Sequence, residues 1–155
     1  MSQQNAFDFL IGNWNVHHRY LLRRLAGCTE WIEFAGTSSM RKILDGFANI
    51  DDDDIHLPSG RYAGVSLRTY DPKSESWSIY WLDSRYPGQI FPPVHGRFVD
   101  VIGTFDGEDT HEGRAIKVRF LWSRITPTSA RWEQAFSAGE GSDWETNWIM
   151  DFTRN

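Results

Sequence analysis

The residues with the types and spacing to do chemistry are a histidine pair, a few strand-borne polar groups and tryptophans at alternate positions. His17 and His18 are adjacent. Neighbours on a strand point to opposite faces, so the two cannot ligate one metal ion. His18 shares a face with Trp14, Val16 and Tyr20 and is the one expected to point inward. It reads as a ligand-binding group or general acid/base, or as a core histidine hydrogen-bonded to a neighbour; the second reading is favoured. Asp83 follows Trp77, Ile79 and Trp81 on one face and points inward if those rings do. A buried carboxylate is paired or titrates high. Asp83 is therefore a candidate catalytic partner for His18, or one end of a salt bridge to Arg41 or Arg124.

Arg41 lies with Ser39 and Ile43 on one face. It either anchors an acidic ligand group through a bidentate bond or is an exposed strand arginine. Gln134, between Trp132 and Phe136, wants a partner: a ligand, a core hydrogen bond or a water. Trp81, Trp132 and Trp148 form an aromatic stripe that either stacks on a flat ligand or packs a core. The run Asp51–Asp54 lacks the alternation, glycine and closing glutamate of a calcium loop and reads as a solvated acidic loop. No metal site is expected.

Several chemistries are excluded by what is missing. There is no Gly-x-Ser-x-Gly, His-Glu-x-x-His, P-loop or Cys-x-x-Cys, and no Gly-x-Gly-x-x-Gly opening a helix. Cys28 is the single cysteine, so no internal disulfide forms, and nothing around it marks a nucleophile. The last two strand-like runs contain no histidine, which disfavours haem; no cofactor is expected. The net charge of −5 argues against duplex nucleic acid and an anionic membrane surface. No run of apolar residues is long enough to span a bilayer and the N-terminus is not a signal peptide, so the expected location is cytoplasmic.

These groups need strands to position them. Aromatic residues make up 15% of the chain, including 8 Trp and 10 Phe, and such residues suit a pleated, half-buried surface. Alternation at period two recurs. Trp77, Ile79, Trp81 and Asp83 share a face, as do Val118, Phe120 and Trp122. So do Ala130, Trp132, Gln134 and Phe136, and again Trp144, Thr146, Trp148, Met150 and Phe152. Further strands are expected over Trp14 to Leu21, Glu30 to Phe34 and Ser38 to Leu44. Turns are expected at Tyr70–Glu75, at Thr104–Glu108 with its Asp-Gly pair, at Thr126–Ser129 and at Ala138–Asp143. A helical turn or two is drawn only around Asn5 to Leu10. Successive hairpins of eight to ten strands close more naturally as an up-and-down barrel than as a sandwich.

The stretch Phe7-Asp8-Phe9-Leu10-Ile11-Gly12-Asn13-Trp14 carries a Gly-x-Trp after a short helical turn. It resembles the opening of lipocalins and related calycins, where the tryptophan closes one end of the barrel. Arg24–Glu30, Leu67–Trp77 with its Tyr70-Asp71-Pro72, Trp81–Ser84, and the ending from Arg131 to Phe152 resemble an uncharacterised bacterial family of lipocalin-like barrels of unknown function. The chain departs from that pattern between Asp45 and Arg61, which is longer and more acidic. Length and alternation predict one all-β domain over residues 1–155, and the resemblance implies a lipocalin-like antiparallel barrel with an internal pocket.

Three functions follow from these readings. The first is a carrier, sequestering protein or sensor for a small apolar or aromatic molecule. The second is a cofactor-independent isomerase, cyclase or hydrolase using His18 and Asp83 in the pocket. The third is a filled barrel acting through its surface, as a homodimer or interaction protein. Two titratable groups converging on a cavity separate the second from the first, and a cavity separates both from the third.

Overall fold

Period-two alternation becomes strand along most of the chain, because each apolar face finds a common interior. The structure, a computed structural model, describes residues 2–139, 141 and 143–155. Ten strands follow in order: β1 (Gly12–Leu21), β2 (Trp31–Ile43), β3 (Ala48–Ile55), β4 (Tyr62–Asp71), β5 (Ser76–Asp83), β6 (Val94–Val99), β7 (Ile102–His111), β8 (Arg114–Ser123), β9 (Ser129–Ser137) and β10 (Glu145–Arg154). Each pairs antiparallel with the next, and β10 pairs with β1 to close the barrel. This is a lipocalin-like up-and-down barrel. Closure gives every strand a neighbour on both sides, the shortest ladder being Trp77–Ile79 of β5 against Val94–Gly96 of β6. Among the described residues no helix is long and apolar enough to cross a membrane.

The expected helical turn is two short 3-10 turns, Gln3–Asn5 and Asp8–Leu10. They plug one end of the barrel. The Phe7 ring meets Trp77 at 5.1 Å and Phe98 at 5.0 Å, both edge-on, and lies 5.7 Å from Phe105. Two indoles bind the plug's backbone: Trp14 Nε1 donates to Leu10 O and Trp77 Nε1 to Gln3 O, each at 2.8 Å. Arg154, from the last strand, lies 4.0 Å over the Trp14 ring and donates to Phe9 O at 2.8 Å. The chain's two ends thus seal the same opening.

Four local expectations are corrected. The strands drawn over Glu30–Phe34 and Ser38–Leu44 are one strand, β2, in unbroken register with β1. Asp51–Asp54 is not a loop. It lies within β3, paired on both sides, with Asp51 buried and Asp52 exposed. The Asp106–Gly107 pair is not a turn. It sits inside β7, and a Cβ at Gly107 would come 2.4 Å from Pro93 O, so this glycine serves close strand approach. The turns lie on either side, at Asp100 (φ 58°) and at Glu112–Gly113 (φ 51° and 77°). Finally, a bulge in β10 between Thr146 and Trp148 changes the phase. Trp148, Met150 and Phe152 face inward as expected, but Thr146 and Trp144 do not share their face; Arg119 caps the Trp144 ring at 4.3 Å outside the barrel. The turn expected over Ala138–Asp143 falls partly on Glu140 and Ser142, which lie outside the described residues.

The plug is expected to be integral to stability. Phe7→Ala should lower the unfolding free energy by roughly 3–5 kcal/mol, read from urea denaturation. A loss below about 1 kcal/mol would show that the ring does not pack as a core residue.

Candidate ligand-binding cavity

A cavity of about 390 Å³ remains inside the barrel above the plug. That volume falls in the range of small-molecule sites. It has an aromatic wall, a charged floor and a polar mouth.

The wall is set by strand alternation. Trp81 on β5, Trp132 on β9 and Trp148 on β10 all line the cavity. Trp148 stands edge-on to both of the others, 6.0 Å from Trp81 and 5.1 Å from Trp132, each at 87°. Phe120 meets Trp132 edge-on at 5.0 Å. Gly64 on β4 makes room for this wall, because a Cβ there would lie 2.0 Å from Cη2 of Trp81.

The floor comes from β3 and β4. Arg68, 2% exposed, points inward from β4. Its Nη2 donates to Asp51 Oδ2 at 2.6 Å and its Nη1 to Asn49 Oδ1 at 2.8 Å. Its guanidinium also lies 5.0 Å over Phe7, which ties the floor to the plug. Asp53, two residues beyond Asp51, lines the cavity and keeps part of its surface accessible. Burial, reinforced by the Asp51 charge, pushes its carboxyl well above the ordinary carboxylate value. Ser38 Oγ stands beside it.

The mouth is held by Asp83 and Arg85. The Arg85 side chain makes a bidentate pair, Nε to Oδ1 at 3.0 Å and Nη2 to Oδ2 at 2.8 Å, and its backbone N–H adds a bond to Oδ1 at 2.9 Å. Burial alone would push the Asp83 carboxyl up, but these bonds outweigh it and hold Asp83 below its ordinary value. The Arg85 guanidinium also stacks 3.6 Å over Tyr62. Arg24 crosses the mouth over Tyr20 at 4.3 Å, and His111 completes the rim.

Of the residues expected from sequence, Trp81, Asp83, Trp132, Gln134 and Trp148 line the cavity. Asp83 finds Arg85 as its partner, and neither Arg41 nor Arg124. Gln134 already donates to Asn147 Oδ1 at 2.8 Å, across the bulge in β10. Arg41 is corrected: β2 alternation puts Met40 inside and Arg41 on the exposed outer face. His18 is buried but lies outside the cavity lining, so it does not meet Asp83 there. Its Nδ1 accepts a hydrogen bond from Trp148 Nε1 at 3.0 Å, and its ring stacks on Phe34 at 4.8 Å. An accepting Nδ1 requires a neutral ring protonated at Nε2. Gly36 lets β2 pass this ring, since a Cβ there would lie 2.9 Å from His18 Nε2.

The residues that sequence reasoning missed are Asp51, Asp53 and Arg68. The four consecutive aspartates hid an alternating strand between Ile50 and Ile55. The available signal was Arg68, which shares a strand face with Ser66; an inward arginine demands an inward acid.

His18 makes stability acid-sensitive. Burial, then the charges of His17 and His56, lower its pKa to about 3. The unfolded chain takes up a proton near pH 6.5 that the folded protein refuses. This contribution to stability is therefore complete above about pH 6.5 and is lost as pH falls toward about 3. His18→Phe should cost about 1–3 kcal/mol at neutral pH by orphaning the Trp148 indole N–H. That deficit should shrink as pH falls to about 4, because the phenyl ring does not titrate. Urea unfolding at both pH values measures it; a pH-independent deficit would contradict the neutral buried histidine.

No protein-family model and no curated protein matches the chain. Solved structures do. An S-type phycobiliprotein lyase, CPES from Guillardia theta, superposes with a TM-score of 0.65 at 11% identity, over 100% of this chain and 93% of that one. A structure of EF1p2_mFAP2b bound to DFHBI superposes with a TM-score of 0.54 at 12% identity, over 99% of this chain and 100% of that one. At such identities the likeness establishes the lipocalin-like barrel fold and nothing finer.

Proposed function

We propose that the barrel binds a small, flat, apolar or aromatic molecule in its central cavity and acts as a carrier, sequestering protein or sensor. The observation that carries this reading is the cavity itself, about 390 Å³ walled by Trp81, Trp132 and Trp148. A barrel built only for stability fills such a space with side chains, because unfilled volume forfeits packing energy. Rigid indoles set edge-on to one another present faces and edges on which a planar molecule can lie at little entropic cost. The neighbouring EF1p2_mFAP2b barrel, seen bound to DFHBI, supports the reading by analogy of fold. The filled-barrel alternative has no support in this interior. The acid/base alternative built on His18 and Asp83 has little, since one lies behind the wall and the other is held by Arg85.

Denaturing the purified protein and analysing the released small molecules by mass spectrometry tests this directly. A stoichiometric planar or apolar compound is expected, and binding of that compound should be recoverable with the refolded chain. Trp81→Ala should weaken the recovered binding about threefold to tenfold, the scale of one aromatic contact. Unchanged affinity in Trp81→Ala would place the ligand elsewhere, and a chain that neither retains nor rebinds any such compound would overturn the proposal.

A further inference from the structure

The floor of the cavity says more about the ligand, provided that the cavity is the binding site proposed above. Asp51 is fully engaged there: Oδ1 accepts from the Ser66 backbone N–H at 3.0 Å and Oδ2 from Arg68 at 2.6 Å. Asp53 is different. It forms no ion pair among the described residues, and the guanidinium nearest to it is committed to Asp51. Ser38 Oγ, on a side chain 3% exposed, stands within hydrogen-bond reach of Asp53, as does the Asp51 carboxylate. The indole N–H of Trp122, 1% exposed, and Nε of Arg68, 2% exposed, both on the cavity lining, have no hydrogen-bond partner among the described residues. Buried polar groups in folded proteins are nearly always satisfied, and groups left open around one end of a cavity point to a partner that arrives from outside.

We propose that the Asp53 carboxyl, beside the Asp51–Arg68 pair, binds the N–C–N edge of a flat, weakly basic aromatic heterocycle of the 2-aminopyridine type. The chemistry follows from the local charges. Asp51 and Arg68 offset each other, and burial beside the Asp51 charge raises the Asp53 carboxyl well above the ordinary carboxylate value, which favours its neutral form. A neutral acid receives a neutral base without either bringing a charge into the barrel, so entry avoids the desolvation of an ion. Once there, the ring nitrogen takes the Asp53 proton, and the exocyclic N–H donates to the second carboxyl oxygen. The product is a bidentate carboxylate–amidinium pair, with one O–H bond broken and one N–H bond formed. A ligand carboxylate is opposed, since it would face two carboxyl groups and a guanidinium whose two terminal nitrogens are already given to Asn49 and Asp51. The ring system extends from the floor along Trp81, Trp132 and Trp148.

Isothermal titration calorimetry at neutral pH with 2-aminoquinoline, its uncharged isostere 2-methylnaphthalene, and 2-naphthoate tests the assignment on the wild type and Asp53→Leu. In the wild type, 2-aminoquinoline should bind at least about tenfold more tightly than 2-methylnaphthalene, the scale of a charge-assisted bidentate bond, and 2-naphthoate should bind weakest. In Asp53→Leu that margin should vanish while 2-methylnaphthalene keeps its affinity within about threefold. Asp53→Ala serves the same comparison should the leucine variant not fold. Equal affinities for the two isosteres in the wild type, or a margin that survives loss of the carboxyl, would overturn the floor assignment and leave the cavity reading standing. Failure of every probe to bind the wild type would overturn both.

Discussion

The interaction on which the interior depends is the buried Arg68–Asp51 pair. Arg68 sits where three parts of the molecule meet: the plug through Phe7, the cavity through its lining surface, and β3 through Asp51 and Asn49. A guanidinium 2% exposed is tolerable only because both terminal nitrogens are engaged and two aromatic faces lie near it, Phe7 at 5.0 Å and Trp122 at 5.9 Å. Removing either partner would leave a buried charge alone, at a cost of roughly 3–5 kcal/mol. The pair therefore fixes the depth of the cavity. Below it the barrel is packed with Phe7, Phe98, Phe105 and Trp77. Above it the interior opens.

The two ends of the cavity solve the same electrostatic problem in different ways. At the mouth, Asp83 meets Arg85 in a bidentate pair that is about a third open to solvent on the arginine side. That pair is complete and needs nothing further. At the floor, Asp51 has Arg68 as its cation but Asp53 has no ion pair among the described residues, and its position beside a second carboxyl is one that folding alone would not favour. A barrel selected only for stability would place an apolar side chain there. The retained Asp53 carboxyl and the open Trp122 indole N–H both belong to the lining of the aromatic-walled cavity.

Much of this was legible in the sequence, and the limits are physical. The strands bearing Trp77–Asp83 and Ala130–Phe136 show clean alternation because one face meets a mostly aromatic part of the interior, so their inward residues could be named. Gly12 and Trp14 announced the closed end. What failed did so where one residue type serves two roles. Aspartates at four successive positions look uniform, yet strand pleating divides them between solvent and floor. Asp106–Gly107 has the composition of a turn, but Gly107 is small so that two strands can approach. Arg41 and Arg68 are both arginines on alternating strands, and only the barrel's register decides which is inside. The bulge at Asn147 left no compositional mark, so the face shared by Thr146 and Trp148 could not be refused in advance.

The central claim is that the floor keeps a carboxyl at the expense of stability because a ligand uses it. Equilibrium urea unfolding of the ligand-free wild type and Asp53→Leu at neutral pH tests this most directly. The account predicts that the leucine variant is the more stable, by about 1 kcal/mol or more, because a carboxyl crowded against Asp51 is replaced by an apolar side chain. A variant less stable than wild type by a similar amount would contradict it, and would make Asp53 a structural partner of Asp51, Ser38 and Arg68.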